Sequence, residues 1–524
     1  MRSGFIISIL CAVATVQALN PIVIKGHKFF DSVTKNQVFI KGVAYQPRSD
    51  GISNGDPLSD ASACARDASL MAKIGMNVID PRKNHDACMK SFADNGIYLL
   101  LDIATPKYSV NRNSPEYNVH QYNSYTAAID AFGHYDNIFA FIAGNEVTND
   151  RTNTKASPYV KAVIRDTKNY IRETQKRKIP VGYASNDDEF IRGAIKDYFA
   201  CGDSDTQADF FGVNLYEWCG DSTFQKSGFA DRTKEFETYS KPVFLSEYGC
   251  NLVSPRKFGE VAALYGPDMT DVWSGGVVYE WTQENNNYGL VKIDSSTGKV
   301  ELLPDYNNLQ NALAKANPKG VTLDNFNEQR AEPDCPANDD SWKASVALPP
   351  TPSEGACECM QNNLACVASD KVSNTDSTSM LTNSSSIIGI QIDSLCGMVS
   401  CNDIGSNGET GHYGAYSFCS PESKLSWLYS LYVQDNQASR CDFNGFARQE
   451  YPKRNDIGSC SKIGPTINSS GREFVDAKKS AATVYNPNVL ISSTALIAIN
   501  SSSSSSSSGS SGGSSSNTIQ YNTL

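Results

Sequence analysis

The sequence predicts a (β/α)8 barrel that is followed by a small disulfide-rich module and a disordered serine-rich tail. Three observations support this order. Strand-like apolar runs alternate with helical stretches over residues 19–331, cysteines concentrate in residues 357–465, and residues 501–516 are all serine or glycine. Strands that alternate with helices pair in parallel, and eight such units suit a barrel, which needs roughly 250 residues or more. An open doubly wound sheet is the alternative, but we find no glycine-rich first turn of the kind that binds a dinucleotide.

Residues 1–18 have the features of a secretory signal peptide. Arg2 precedes an apolar run at residues 5–15, and Val16-Gln17-Ala18 fits a cleavage site of small residues. The run is too short to span a membrane. Export implies an oxidising compartment, and the fourteen cysteines outside the signal, an even number, permit full pairing. Three Asn-Ser-Ser triplets are candidate glycosylation sites and begin at Asn383, Asn468 and Asn500.

The barrel prediction rests on eight strand candidates, several of which are separated by helical stretches. The clearest helix prediction covers residues 157–177, where Ser157 can cap the helix and Pro158 suits its first turn. The strand candidates are residues 38–47, 75–79, 97–106, 138–146, 179–187, 209–218, 242–249 and 275–283.

The fourth and seventh strand candidates each end in a glutamate. Glu146 follows the apolar run in "FAFIAGNE", and Glu247 follows the run in "PVFLSEYG". Chemistry in such a barrel takes place at the carboxyl ends of the strands, where strands four and seven face each other. Two carboxylates there would lie about 5 Å apart, as the catalytic pair of a retaining glycosidase does. Asn145 suits a hydrogen bond to the sugar hydroxyl beside the reacting carbon. Taken singly, either glutamate could instead cap a helix or face water.

Glu217 and Glu280 are rival carboxylates, each within a Tyr-Glu-Trp triplet at the end of strand candidates six and eight. Side chains alternate along a strand. If Tyr216 and Tyr279 point into the mouth of the barrel, the two glutamates point away from it. This alternation favours a structural role for both.

The composition argues against other classes of function. The net charge is −11, and no cluster of lysine and arginine stands out, which disfavours a nucleic-acid partner. The five histidines are scattered, and no His/Cys spacing resembles a metal site. We also find no loop that would cradle a phosphate, so no cofactor and no metal are expected.

The chain after the barrel divides into three segments. Residues 332–356 are predicted to be a linker, since they include "LPPTPSEG", which favours a stiff spacer. Residues 357–465 contain eight cysteines and are predicted to form a small stapled module whose connectivity stays open. Residues 466–524 are polar and are predicted to be disordered.

Three disulfides are predicted in the barrel domain. Cys219 and Cys250 follow neighbouring strand candidates, so their α-carbons can come within about 6 Å. Cys64 and Cys88, which flank the second strand candidate, are the next pair, and Cys201 with Cys335 is a third candidate pair.

Several motifs closely resemble one family. "YQP", "NHDACM", "GNEVTND", "SEYGCN" and "SGGVVYEWTQENNNYGLV" are similar to the fungal cell-wall β-1,3-glucanosyltransferases of glycoside hydrolase family 72. This resemblance covers residues 19 to about 330. The block "CECMQNNLACV … GHYGAYSFC" resembles the glucan-binding module of carbohydrate-binding family 43.

The resemblance implies a two-step retaining transfer between β-1,3-glucan chains. An internal bond is cut, and the new reducing end passes to the non-reducing end of a second chain, which elongates cell-wall glucan. Glu146 matches the acid/base and Glu247 the nucleophile. The implied substrate-binding residues are Gln46, Asp102, Ala104, Lys107, Tyr108, Asn111, Arg112, Asn145, Asp187, Arg192, Tyr216 and Tyr279.

The sequence departs from the family pattern at two places. Members usually read Ile-Arg-Val-Tyr-x-Val-Asp-Pro, whereas Ile79 here is followed at once by Asp80 and Pro81. About five residues are missing, including an arginine and a substrate-binding tyrosine, through a true deletion or, as we favour, an error at an exon boundary. Many members also end in an apolar signal for a glycosyl-phosphatidylinositol anchor, but this chain ends in "NTIQYNTL".

Two other functions use the same features. An endo-β-1,3-glucanase would need the same pair of glutamates, and a glucan-binding wall protein of weak activity would fit the shortened second strand. In each case the expected partner is β-1,3-glucan and the expected location is the cell surface or wall. A monomer is expected, and lipid anchoring to the plasma membrane stays open.

Overall fold

The computed structural model describes residues 19–46, 58, 60–80, 86–375, 387–435, 441–451 and 457–465. The predicted signal peptide, the three Asn-Ser-Ser triplets and the predicted serine-rich tail lie outside these residues. Among the helices described, none is both long and apolar enough to cross a membrane.

Eight parallel strands close into a barrel, which confirms the predicted fold. They follow one another in chain order, and the last pairs with the first. An antiparallel hairpin of β1 (Ile22–Lys25) and β2 (Lys28–Asp31) precedes them. The barrel strands are β3 (Ile40–Ala44), β4 (Val78–Asp80), β5 (Tyr98–Asp102), β6 (Ile138–Asn145), β7 (Val181–Asn186), β8 (Phe211–Asn214), β9 (Val243–Tyr248) and β10 (Trp273–Val278).

A glycine makes the closure of the barrel possible. Gly275 of β10 pairs with Ile40 of β3, and its φ of +92° lies in the region that favours glycine. A β-carbon at this position would lie 2.1 Å from the carbonyl oxygen of Ile40. The first and last strands could not approach this closely with a larger residue.

The helices of the barrel domain lie between the strands, and two begin with side-chain caps. Asp60 accepts hydrogen bonds from the first turn of α1, and Asn118 forms a capping box with Gln121 in α3. The helices are α1 (Ala61–Lys73), α2 (Asp86–Asp94), α3 (Val119–Phe132), α4 (Ser157–Thr174), α5 (Arg192–Ala200), α6 (Phe229–Phe236), α7 (Glu260–Leu264) and α8 (Pro304–Leu313).

The predicted cap of α4 is wrong. A short 3-10 turn, Thr154–Ala156, runs directly into this helix, so Ser157 is already helical. Its hydroxyl is hydrogen-bonded to that of Thr148 at 2.8 Å. Pro158 does lie in the first turn, as predicted.

Aromatic rings fill the barrel near the amino ends of its strands. Phe29, from the β1–β2 hairpin, packs against Phe139, Phe210 and Phe244 with ring centroids 4.9, 6.0 and 6.4 Å away. All four are buried, and burial of each ring contributes about 1.5–3 kcal/mol. This end of the barrel is therefore a packed core, and the opposite end is left for chemistry.

The second barrel strand, β4, is short but paired on both sides. It pairs with β3 up to Ala44–Asp80 and with β5 up to Ile79–Leu99, whereas β5 continues to Asp102. The strand therefore stops before the end of its neighbour. Residues 81–85, which follow the gap relative to the family pattern, lie outside the described part of the chain.

The described residues form two compact units. The first contains the residues up to Cys357 together with residues 402–420 and 461–465, and the second contains residues 358–401 and 421–460. The second unit is therefore not the continuous module that was predicted over residues 357–465, because residues 402–420 and 461–465 belong to the first unit. The predicted linker, residues 332–356, lies in the first unit, where Trp342 is buried and the Thr351 hydroxyl donates to Asp166 at 2.7 Å.

Small elements complete the two units. The first also contains strands β11 (Val291–Ile293), β12 (Val300–Leu302), β14 (Ser406–Asn407) and β15 (His412–Tyr413). Helix α9 (Glu354–Gln361) begins in the first unit and ends in the second. The second contains α10 (Asp370–Thr375), α11 (Ile387–Cys396), α12 (Pro421–Asp435), the antiparallel strands β13 (Cys366–Ala368) and β16 (Ala447–Gln449), and 3-10 turns at Phe443–Gly445 and Ile457–Lys462.

Seven disulfides join the described cysteines. Those of the barrel domain are Cys64–Cys88, Cys201–Cys335 and Cys219–Cys250, the three pairs predicted from the sequence. Cys357–Cys419 also lies in the first unit, and the second unit contains Cys359–Cys460, Cys366–Cys441 and Cys396–Cys401.

Candidate active site

Glu146 lies at the carboxyl end of β6 in a rare backbone conformation. Its φ is +49°, a left-handed value that costs a residue with a side chain of the order of 1–3 kcal/mol. Two contacts hold it there. The backbone N–H donates to Ala184 on β7 at 3.0 Å, and the Arg112 guanidinium donates to its carbonyl oxygen at 2.6 Å. The half-buried carboxylate therefore projects from a strained but firmly held turn.

Asn214 connects the two predicted catalytic strand ends. Its Nδ2 donates to Glu146 Oε1 at 2.8 Å and to Asn145 Oδ1 at 3.1 Å. Its Oδ1 accepts a hydrogen bond from Ser246, the residue before Glu247, at 2.7 Å. Asn214 also pairs in register with Glu247 between β8 and β9. The Asn214 side chain, on the strand next to that of Glu247, thus fixes the position of Glu146 relative to Glu247.

Glu247 is surrounded by negative charge and by one strong donor. Burial and the charge of Glu146 raise the pKa of Glu247 to about 8, and the charges of Asp102 and Glu280 add to this rise. The Tyr216 hydroxyl donates to Glu247 Oε2 at 2.6 Å and opposes the rise in pKa, because it stabilises the carboxylate. Two carboxyls that interact in this way titrate as a pair and share a proton.

The roles implied by the resemblance fix where this proton must lie. An acid at Glu146 and a nucleophile at Glu247 need the proton on Glu146. The hydrogen bonds are compatible with that state, because the Asn214 amide can donate to the carbonyl oxygen of a neutral carboxyl as well as to a carboxylate. Tyr216 at the same time favours the ionised form of Glu247.

A wall of tyrosines adjoins Glu247. The ring of Tyr288 packs edge-on against Tyr216 and Tyr279, with centroids 5.8 and 5.3 Å away. Tyr216 and Tyr279 are half-buried, as expected of residues at the mouth. The partly exposed rings of Tyr216 and Tyr279 suit contact with the apolar face of a sugar ring.

The loop that follows β5 contains five of the predicted substrate-binding residues. Asn111 accepts hydrogen bonds from the backbone of residues 113 and 114 at 2.9 and 3.3 Å, and so orders the loop. The Lys107 ammonium lies 5.1 Å from the centroid of the Tyr108 ring. Arg112 supports Glu146, and Ala104 is half-buried. Asn111 therefore orders the backbone of the loop, and Arg112 holds the backbone of Glu146.

A charged group lies beyond the end of β7. Arg192 contacts Asp187 at 3.0 Å, and Arg232 lies 3.6 Å from the same carboxylate. Glu217 is exposed but belongs to this group, since partial desolvation and the charge of Asp187 raise the pKa of its carboxyl to about 7. Glu280, by contrast, is buried and accepts a hydrogen bond from Asn286 at 2.8 Å. The two rival carboxylates are thus in different surroundings.

The remaining predicted residues lie at or near the mouth. Gln46 is half-buried just after β3, and Asp102 is the last residue of β5. Cys219–Cys250 links the segments that follow β8 and β9, with α-carbons 5.1 Å apart. Asn214, Ser246 and Tyr288 are site residues that the sequence analysis missed. Asn214 could have been found from the sequence, because it is a polar residue that follows the apolar run of the strand candidate next to the one ending in Glu247.

The chain matches the sequence profile of one enzyme family. The sequence profile of the glucanosyltransferase family, glycoside hydrolase family 72, matches residues 11–317, which is more than half of the chain. The chain belongs to this family. A second profile, that of the X8 domain, matches residues 364–448.

Relatives of this glucanosyltransferase are similar over most of their length. The 1,3-beta-glucanosyltransferase GAS2 of Saccharomyces cerevisiae is 45% identical over 457 residues, which cover 81% of this chain and 78% of the relative. The 1,3-beta-glucanosyltransferase gas2 of Schizosaccharomyces pombe is 41% identical over 461 residues, or 84% of this chain and 97% of the relative.

A solved structure extends the similarity to three dimensions. It contains a glutamate-to-glutamine variant of Saccharomyces cerevisiae Gas2p in complex with laminaritetraose and laminaripentaose. This glucanosyltransferase superposes on it with a TM-score of 0.75 at 42% identity, over 85% of this chain and 99% of the other.

Proposed function

We propose that this chain is a 1,3-β-glucanosyltransferase, which cleaves internal β-1,3-glucan bonds and transfers the new reducing end to another glucan chain. The observation that carries the proposal is the arrangement at the barrel mouth. Glu146 and Glu247 interact electrostatically there, Asn214 holds the first, and Tyr216 donates to the second. The family and the oligosaccharide complex of its relative support the same chemistry.

In the first step, Glu146 is the acid and Glu247 the nucleophile. The protonated carboxyl of Glu146 donates its proton to the glycosidic oxygen while the Glu247 carboxylate attacks the anomeric carbon. The carbon–oxygen bond breaks, the leaving glucan gains a free hydroxyl, and an ester joins the donor sugar to Glu247. Tyr216 stabilises the carboxylate before the attack.

In the second step, a sugar hydroxyl takes the place of water. Glu146, now a carboxylate, removes the proton from a hydroxyl at the non-reducing end of the acceptor glucan. The acceptor oxygen attacks the anomeric carbon, the ester breaks, and Glu247 leaves as a carboxylate. Glu146 is protonated again at the end of the cycle.

The predicted substrate-binding residues are assigned to the cleft around this pair. Asn145, which is exposed beside Glu146, is suited to the hydroxyl next to the reacting carbon. Tyr216 and Tyr279 provide aromatic faces, and Asp187 with Arg192 provides charged hydrogen-bonding groups. Gln46, Asp102 and the loop over residues 104–112 complete the cleft.

The X8 domain is assigned a glucan-binding role, and the protein a place at the cell surface or wall. Two aromatic residues of this region, Tyr416 and Phe418, are buried and lie in the first unit. Trp427 of α12 is half-buried. Retention of this region on β-1,3-glucan, with loss on substitution of Trp427, is the expected result, and absence of retention would make its role structural.

The shortened β4 is expected to lower activity without displacing either glutamate. The family tyrosine and arginine that are missing here belong to the donor side of the cleft by resemblance. Insertion of an Ile-Arg-Val-Tyr-type segment after Ile79 should raise the rate, and an unchanged rate would show that the segment is not needed. Sequencing of the transcript across codons 75–85 decides whether the gap is real.

Product length tests the proposed function against its two alternatives. The purified full chain is incubated with a reduced laminari-oligosaccharide, and the products are separated by size. Products longer than the substrate are expected. Shorter products alone would establish an endo-β-1,3-glucanase, and binding without any product would establish a glucan-binding protein.

A further inference from the structure

A buried arginine lies directly beneath the tyrosine wall. Arg256, in the segment after β9, is 3% exposed. Its Nη1 donates to the carbonyl oxygens of Gly249 at 3.1 Å and Tyr279 at 2.6 Å, and its Nη2 donates to that of Tyr288. One planar guanidinium thus connects the ends of β9 and β10 with the turn that follows β10.

The first turn of α8 holds this guanidinium in place. Asp305 accepts from Arg256 Nε at 2.6 Å through one oxygen and from its backbone N–H at 3.1 Å through the other. Asn308, one turn further along, donates to the Arg256 carbonyl at 2.7 Å. The Phe258 ring covers the guanidinium at 4.8 Å. Together these contacts fix the orientation of the Arg256 guanidinium.

The three carbonyl groups belong to residues at or next to the catalytic centre. Gly249 follows Glu247 by two residues, and Tyr279 and Tyr288 supply two of the three rings of the wall. The third ring, that of Tyr216, packs against Tyr288 and donates to Glu247. A shift of the arginine would therefore move the tyrosines relative to the nucleophile.

We propose that Arg256, oriented by Asp305, is a positioning residue that fixes Tyr216, Tyr279 and Tyr288 around Glu247 during transfer. The proposal rests on the proposed function. Arg256 does not touch the reacting atoms, and its effect passes through the backbone of the tyrosines. Lysine cannot replace it, because a single ammonium lacks the planar fork that reaches three carbonyls and a carboxylate at once.

Arg256→Lys is the decisive variant, and Arg177→Lys is its matched control. Arg177 also donates through Nη2 to two backbone carbonyls, those of Tyr135 and Ile138 at 3.0 and 2.8 Å, but at the start of β6 and away from the mouth. Both variants remove contacts between an arginine and backbone carbonyls. Only one of them should disturb the tyrosine wall.

The first readout is steady-state transfer on a reduced laminari-oligosaccharide, measured below the unfolding temperature of each variant. For Arg256→Lys, kcat should fall about 10- to 100-fold, as expected when reacting groups are displaced by about 1 Å. Arg177→Lys should keep kcat within about twofold. The second readout is binding of laminaripentaose in a Glu146→Gln background, where Arg256→Lys should weaken affinity about three- to tenfold through the loosened aromatic contacts.

Two results would overturn the proposal: wild-type kcat and affinity in folded Arg256→Lys, or an equal loss of both in Arg177→Lys. If Arg256→Lys does not fold, Asp305→Asn decides by the same two criteria, since it removes the charge that orients the guanidinium. A wild-type protein that forms no product would contradict the proposed function instead, and the binding readout would still test Arg256.

Discussion

Removal of the Tyr216 hydroxyl should slow catalysis and change its dependence on pH. In Tyr216→Phe the ring and its packing against Tyr288 remain, while the 2.6 Å hydrogen bond to Glu247 is lost. A hydrogen bond to a charged group contributes about 1.5–3 kcal/mol. The state with the proton on Glu146 and a negative charge on Glu247 would become less populated by that amount, so kcat should fall about 10- to 100-fold.

The direction of the pH effect follows from the same contact. The alkaline limb of the rate profile marks loss of the last proton of the pair, and the pKa of Glu247 is raised to about 8. Tyr216 opposes this rise, so its removal should move the alkaline limb to higher pH while the plateau falls. The assay is kcat/KM between pH 4 and about 10, because kcat/KM reports the pKa values of the free enzyme and this range spans both limbs of such a profile.

A matched variant controls for loss of a tyrosine hydroxyl as such. Tyr98 donates to the Asn20 carbonyl at 2.6 Å from the first position of β5, at the closed end of the barrel. Tyr98→Phe should leave the rate profile unchanged. The reasoning is refuted if Tyr216→Phe keeps kcat within about twofold with its alkaline limb in place.

Three further predictions concern single contacts. Asn214→Ala should lower kcat by about 10- to 100-fold with little change in unfolding temperature, because the carboxyl of Glu146 loses the amide that fixes its position; wild-type kinetics would show that Asn214 is dispensable. Burial lowers the pKa of His27 to about 4 from 6.5, so the stability that depends on neutral His27 is present above pH 6.5 and is lost as the pH falls toward 4. This amounts to roughly 3 kcal/mol, and urea unfolding of His27→Gln should show a weaker loss over that range; an equal loss would contradict the assignment. Loss of Cys219–Cys250 through paired serine substitutions should lower the free energy of unfolding by about 2–4 kcal/mol, and non-reducing peptide mapping that finds Cys219 linked elsewhere would contradict the pairing.

The fold and the two strand ends that carry Glu146 and Glu247 could be predicted because both follow from local patterns. Apolar runs alternate with helical stretches, and each run overlaps one strand of the barrel. Parallel strands bring their carboxyl ends to the same side, so the glutamates that end "FAFIAGNE" and "PVFLSEYG" had to approach one another. The Cys219–Cys250 disulfide follows from the same order of strands, since its two cysteines come after neighbouring strands.

The contacts that hold the site could not be predicted because they join residues distant in sequence. Asn214 supports Glu146 from 68 residues away, and Arg256 meets Asp305 across 49 residues. The periodicity of apolar residues predicts helices and strands, but it does not predict which side chains from distant segments contact each other. The predicted cap of α4 is wrong for a local reason, since a preceding 3-10 turn places Ser157 inside the helix rather than before it.

Trapping of the covalent intermediate is the most direct test of the two-carboxylate mechanism. A laminari-oligosaccharide with a dinitrophenyl leaving group is offered to Glu146→Gln, to Glu247→Gln and to the wild type. Such a leaving group departs without a proton, so Glu146→Gln should still form the ester but release it slowly. Intact mass spectrometry followed by peptide mapping should then find one glycosyl adduct on Glu247 in Glu146→Gln and none in Glu247→Gln. An adduct on another residue, or a Glu247→Gln variant that turns over the substrate, would contradict the mechanism.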